Sequence, residues 1–153
     1  MFTRILVPLD GSEVAERALG HAVQMADIFN AELVLLRAVF LAEVVTLELD
    51  EAQRILLEES KTYLDGVARK LQGHGRSVRT AVCWNKAAEA IIEYALAQDV
   101  SVVVMGTHGH SDADQWPLGS IAEKVLHSMQ VPVLLIRTSS GSDEPTSTGQ
   151  PVI

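Results

Sequence analysis

Ser101-Val-Val-Val-Met105 runs directly into Gly106-Thr-His-Gly109, and after nine further residues the chain reads Gly119-Ser120. An unbroken β-branched run is the composition of a strand covered on both faces, the habit of a parallel sheet. The segment Ile121 to Met129 has helical spacing, so the glycines lie between a buried strand and a helix start. There a parallel α/β sheet leaves main-chain N–H groups free to meet an anion, and glycine lets the backbone approach because no Cβ intervenes.

Working outward, strand-like and helix-like segments alternate. Arg4-Ile-Leu-Val-Pro8 is a short apolar strand ending at a proline. Asp10-Gly11-Ser12 supplies turn and cap chemistry for a helix with Val14, Ala15, Ala18, Leu19, Ala22, Val23, Ala26 and Phe29 on its apolar face. Ala31 to Val39 reads as a second buried strand and Phe40 to Asp50 as a loop. Asp50 is expected to cap a long helix that stops at Gly73. Ser77 to Val82 alternates as a strand, Asn85 precedes a third helix, and Val131-Pro-Val-Leu-Leu-Ile136 closes the series. The pattern βαβαβαβαβ predicts an α/β fold, a parallel sheet with helices on both faces. Residues 1–138 are expected to form one domain, and 139–153, rich in Ser, Thr, Gly and Pro, a flexible C-terminal tail.

Composition excludes several classes. The 153 residues are 48% hydrophobic, enough for a sizeable core. A net charge of −8 disfavours nucleic acid and anionic membrane as general partners. The apolar stretch Leu33 to Val45 carries Arg37 and Glu43 and is too short to span a bilayer. Cys83 is the sole cysteine, and no apolar leader follows the first methionine, so the expected location is cytoplasmic.

Neither a G-x-x-x-x-G-K-[ST] loop nor a G-x-G-x-x-G turn after the first strand is present. What remains is a cradle in which the amides at 109, 119 and 120, with the Ser120 hydroxyl, surround a polyphosphate. A competing structural reading makes Ser120-Ile-Ala-Glu123 a capping box that uses those donors itself. Asp10 lies at the end of the first strand, where an open sheet places its crevice between strands one and four. Its carboxylate suits a ribose hydroxyl, a base amine or a water-bridged Mg²⁺, or else caps its own turn. His108 and His110 flank Gly109 without the ligand set of a zinc site, so no metal site is assigned. Asp112 and Asp114 follow as a loop tip, Trp116-Pro117 as loop packing, and Cys83-Trp84 as core or rim. No nucleophile–base pair and no G-x-S-x-G elbow accompany the five histidines.

From Arg4 to Arg137 the chain resembles the universal stress protein family. The resemblance rests on Ile5-Leu-Val-Pro-Leu-Asp-Gly-Ser12, Glu32-Leu-Val-Leu-Leu36, Val103-Val-Met-Gly-Thr-His-Gly109, Gly119-Ser-Ile-Ala-Glu-Lys-Val125 and Val131-Pro-Val-Leu-Leu-Ile136. Glycine, two residues, glycine, nine residues, then Gly-Ser is the mark of its ATP-binding subgroup. The resemblance implies an open doubly wound five-stranded parallel sheet of order 3-2-1-4-5. It implies an adenine nucleotide, ATP or else ADP or AMP, with Mg²⁺ as a companion ion, and a homodimer through Val133 to Ile136. The implied nucleotide-binding residues are Pro8, Asp10, Ala38, Val39, Gly106, His108, Gly109, His110, Gly119, Ser120 and Ile121. The family's Gly-x-Pro before the third helix is replaced by Asn85-Lys86-Ala87, and acidic residues stand where relatives carry small or basic ones, which favours a less charged nucleotide. The expected function is regulatory nucleotide binding in stress response. A slow ATPase or phosphoryl- or adenylyl-transfer enzyme, and an interaction scaffold without nucleotide, are the alternatives.

Overall fold

Side chains that alternate across buried strands must be received by apolar helix faces on both sides, and the arrangement follows from that demand. A computed structural model describes residues 1–41, 49–107 and 118–137. In chain order its elements are β1 (Arg4–Pro8), α1 (Glu13–Phe29), β2 (Glu32–Val39), α2 (Leu49–Gln72), β3 (Val78–Trp84), α3 (Ala87–Ala97), β4 (Val102–Gly106), α4 (Ser120–Ser128) and β5 (Val133–Ile136). All pairings are parallel and the strand order is 3-2-1-4-5, as expected. Ile5, Val7, Leu33, Leu35, Val102 and Val104 meet Leu19, Ala22 and Leu64 of α1 and α2. Leu6, Val34, Leu36, Val103 and Met105 face the other way, onto Ile91 of α3 and Ala122 and Val125 of α4.

Several boundaries differ from the sequence reading, each for a local reason. The fourth strand starts at Val102, because Ser101 caps the sheet: its hydroxyl accepts from the Thr3 and Arg4 amides and donates to the Arg4 carbonyl. The last strand starts at Val133, and Pro132 contributes only its carbonyl, which accepts from Val103 N–H at 3.0 Å. The third strand runs on to Trp84 because Cys83 and Trp84 pair with Ala38 and Val39. The long helix begins at Leu49, so Asp50 lies in its first turn, where a carboxylate meets the helix dipole, and is not the cap. At its other end Gly73 follows the last helical residue as expected, but the left-handed residue is Gly75, at φ 78°. The proposed loop falls partly, and the proposed tail wholly, outside the described residues.

One polar cluster ties the α1/α2 layer to the sheet. The Arg37 guanidinium of β2 stacks on the Tyr63 ring of α2, 5.0 Å from its centre, and the Tyr63 hydroxyl donates to Glu16 of α1 at 3.2 Å. Partial burial, with the negative charges of Glu16 and Asp10 outweighing Arg37, pushes the Tyr63 hydroxyl from the ordinary 10.0 up to about 12. An acid with a raised folded pKa releases its proton first in the unfolded chain. Its contribution is therefore complete below pH 10 and is lost as pH climbs toward 12. Absorbance at 295 nm should record a tyrosine ionising near pH 12, and Tyr63→Phe should remove both that step and the part of the alkaline stability loss it causes.

A second expectation concerns two neighbours on α2. Leu64 is fully buried, and Leu64→Ala should lower unfolding free energy in urea by about 3 kcal/mol. Ser60, one turn earlier, is equally buried, yet its hydroxyl has no hydrogen-bond partner among the described residues. Ser60→Ala, which removes that unsatisfied group and improves helix propensity, should raise stability by about 0.5–1 kcal/mol in the same measurement.

Candidate functional site: a cleft between β1 and β4

β1 and β4 are neighbours whose chains leave toward opposite faces, β1 into α1 and β4 toward α4. Beyond their ends the sheet opens, and a pocket lies there, as expected at such a switch point. It is a cleft partly open to solvent, with about 100 Å³ available to the centre of a water-sized molecule. Pro8, Asp10, Ala38, Gly106, Gly119 and Ile121 are expected binding residues that line it.

Asp10 takes the turn role weighed for it and also reaches the pocket. Its Oδ1 accepts from Ser12 N–H at 2.9 Å, which fixes the turn, while the exposed carboxylate also forms part of the wall. Ser12 then caps α1, its side chain accepting from Ala15 N–H. Between them Gly11 adopts φ 83°, a conformation glycine reaches without a Cβ clash.

On the β2 side of the pocket stand Leu36 and Ala38. Leu36 faces β1, its carbonyl accepting from Leu9 N–H at 2.8 Å. Two residues on, Ala38 presents its amide and carbonyl to that same side, past the end of β1 and at the pocket wall. Val39 points the other way: its carbonyl accepts from Asn85 N–H at 3.0 Å, so of Ala38 and Val39, both expected to bind nucleotide, Ala38 is the one whose main chain faces the cleft.

At the α4 side the structure corrects two expectations. Gly119, not Ser120, is the N-cap, with extended backbone and no side-chain cap bond, so the capping box with Glu123 does not form. Ser120 is the exposed first residue of the helix. The Gly119 amide is not a free donor, for it donates to the Thr107 carbonyl at 2.7 Å, while Thr107 N–H donates to Ile136. Among the described residues, the amides without a helical partner are therefore those of the first turn, Ser120, Ile121 and Ala122, at the positive end of the helix dipole. His108, Gly109 and His110, like Asp112, Asp114 and Trp116-Pro117, lie outside the described residues.

The sequence reading missed the apolar lining: Leu9, Ala15, Leu36, Ala87, Ile91 and Ala122, with Met105. Ala15, Ala87 and Ala122 stand in the first turns of the three helices that enter beside the cleft. Alanine there, where a larger residue would reach into the opening, was the available signal. Asn85 does not cap α3 directly; Lys86 is the cap residue, its N–H bound to Asn85 Oδ1 and its ammonium 5.6 Å from the centre of the Phe40 ring. Glu89 of α3 accepts from Lys124 of α4, and that hydrogen bond first of all holds its carboxyl below the ordinary value. Cys83 goes the other way, its thiol raised by burial and by Glu93, which suits a structural residue. Among the described residues no cluster of His, Cys, Asp and Glu gathers as for a metal, and no helix is long and apolar enough to cross a membrane.

Comparison with known proteins agrees with this architecture. Residues 1–137 match the model of the universal stress protein family. The universal stress protein YxiE of Bacillus subtilis is 30% identical over 148 residues, covering 90% of this chain and all of that protein. The solved structure of the protein MJ0577 of Methanocaldococcus jannaschii superposes with a TM-score of 0.84 at 29% identity, over 92% of this chain and 99% of that one. More distant structures share the fold at TM-scores of 0.69 and 0.65. One is a universal stress protein in complex with cAMP, the other the Archaeoglobus fulgidus protein in complex with dAMP. With its family model matched over almost its whole length and its sheet in the same order, this chain belongs to the universal stress protein family.

Proposed function

We propose that the cleft binds an adenine nucleotide, ATP or its diphosphate or monophosphate, as a regulatory ligand in a cytoplasmic stress response. The observation that carries the reading is the pairing of a free main-chain edge at Ala38 with an exposed carboxylate at Asp10 across one pocket. An adenine edge offers an amine donor beside a ring-nitrogen acceptor, and the Ala38 carbonyl and amide match that pair. Ala87, Ile91 and Leu36 supply the apolar wall a base requires.

Asp10 then accepts from ribose hydroxyls, and the phosphates lie toward Gly106, Gly119 and the first-turn amides of Ser120 and Ile121. His108, Gly109 and His110 complete the phosphate side by sequence spacing. Mg²⁺ would be held by the phosphates with water, for the acidic side chain at hand, Asp10, is committed to its turn and the ribose. The nucleotide complexes of relatives favour the same ligand class. A homodimer through Val133 to Ile136 belongs to this reading, supported by the edge position of β5 and the exposure of Leu134.

Saturation tests the reading. Nucleotide at a hundred times its dissociation constant should add about 2.7 kcal/mol of stability, which raises Tm by about 5–10 °C for a chain of this length. Thermal unfolding with ATP, ADP, AMP and no addition measures it, and mass spectrometry of nucleotide released on denaturation identifies the native ligand. A flat thermal response to all three nucleotides, with nothing released, would exclude the proposal.

A further inference from the structure

We propose that Arg37 is a positioning residue for ribose recognition: from behind the cleft it braces the Asp10-Gly11-Ser12 turn, so that the Asp10 carboxylate meets the sugar in one fixed orientation. The inference rests on the adenine-nucleotide reading of the pocket and deepens it.

Arg37 follows Leu33 and Leu35 along β2, and so lies on the α1/α2 face of the sheet, outside the pocket lining. Among the described residues no carboxylate pairs with it. Two things hold the guanidinium. The Tyr63 ring lies beneath it, itself anchored to Glu16. On another side is the turn: its Nη1 stands 3.6 Å from where a Cβ on Gly11 would be, ordinary van der Waals range, so the guanidinium packs beside that glycine.

The consequence for Asp10 is geometric. One carboxylate oxygen is committed to Ser12 N–H, so the direction of the other depends on how the turn sits on the sheet. Gly11, at φ 83°, is the residue with most freedom to let that turn swing, and it is the residue Arg37 backs. The same cation sits beside a turn that carries a carboxylate, and no acidic side chain among the described residues pairs with it. Asp10 in turn is close enough to Tyr63 to help raise its pKa, which places all three groups in one electrostatic neighbourhood. Pointing away from Gly106 and Gly119, Arg37 is on the wrong side to take the phosphates directly.

The test compares ATP with 2′-deoxy-ATP and 3′-deoxy-ATP by titration calorimetry on the full chain, in the wild type and in Asp10→Asn, Arg37→Met and Arg37→Lys. A hydroxyl bound to a carboxylate should give at least one deoxy form an affinity about tenfold weaker than ATP. Asp10→Asn should bring that ratio close to one. Arg37→Met should do the same while leaving affinity for the deoxy form within about twofold, a split that a general loss of folding would not produce, and Arg37→Lys should recover part of the ratio. Should Arg37→Met fail to fold, Tyr63→Leu removes the platform instead and should lower the ratio in the same way. If Asp10→Asn abolishes the preference and the Arg37 and Tyr63 variants keep it, Arg37 has no positioning role while the nucleotide reading stands. If the wild type binds ATP without any ribose preference, the Asp10 contact itself is wrong and the inference falls with it.

Discussion

The parallel pairing of β1 with β4 is the constraint from which the rest follows. The two strands are in register at Ile5 with Val102 and Leu6 with Val103, then part. A parallel strand must be reached by a crossover, and right-handed crossovers send α1 and α4 to opposite faces of the sheet. Where they diverge, strand ends and helix starts face a common space that neither layer fills. Strand carbonyls, helix N–H groups and turn side chains all terminate there, so the cleft is polar at its rim even though its walls are alanine, leucine and isoleucine. The same geometry would follow from any sequence that satisfied the two apolar layers. On the nucleotide reading, the particular ligand is chosen by Asp10, by the main-chain edge at Ala38 and by the small residues in the helix first turns.

Long-range electrostatics oppose an anionic guest, for the chain carries −8. Short-range dipoles are the available counterweight. Ion pairs found across the described surface, Arg4 with Glu32, Arg76 with Asp27 and Lys124 with Glu89, neutralise charge locally and lie away from the pocket lining. The strongest of these in geometric terms, the two-pronged Arg76–Asp27 contact, lowers the aspartate and raises the arginine through hydrogen bonding. Its place at the surface, with Asp27 exposed and Arg76 partly so, leaves it little weight in overall stability.

Sequence alone was sufficient for the fold, because buried parallel strands such as Val102–Gly106 cannot be mistaken for amphipathic helices when turn residues bound them on both sides. Asp10, Gly106 and Gly119 were legible as residues of the cleft wall, since each stands at or near the end of a strand or the start of a helix. Boundaries were less so. Ser101 looks like strand by pattern but spends its hydroxyl capping β1, a contact between residues almost a hundred positions apart that no local rule contains. Val39 and Ala38 are indistinguishable as letters, and only pairing register reveals which of them turns its main chain to the cleft. Gly119 was read as a phosphate donor for its position, yet the Thr107 carbonyl takes its amide.

That last bond changes how the phosphate side of the cleft is understood. Joining Gly119 to Thr107, and Thr107 to Ile136, fastens the start of α4 to the ends of β4 and β5, so the helix is held rigidly at the point where its dipole emerges. Rigidity there has a cost in donors: one amide fewer converges on an anion. The remaining first-turn amides of a nine-residue helix supply a favourable field of about 0.3–1 kcal/mol for a single charge near the surface. A base seated on the Ala38 edge and a hydroxyl on the Asp10 carboxylate each contribute about as much or more. On the nucleotide reading, then, the nucleoside end fixes what is bound, and the described part of the phosphate end fixes mainly the direction in which it lies.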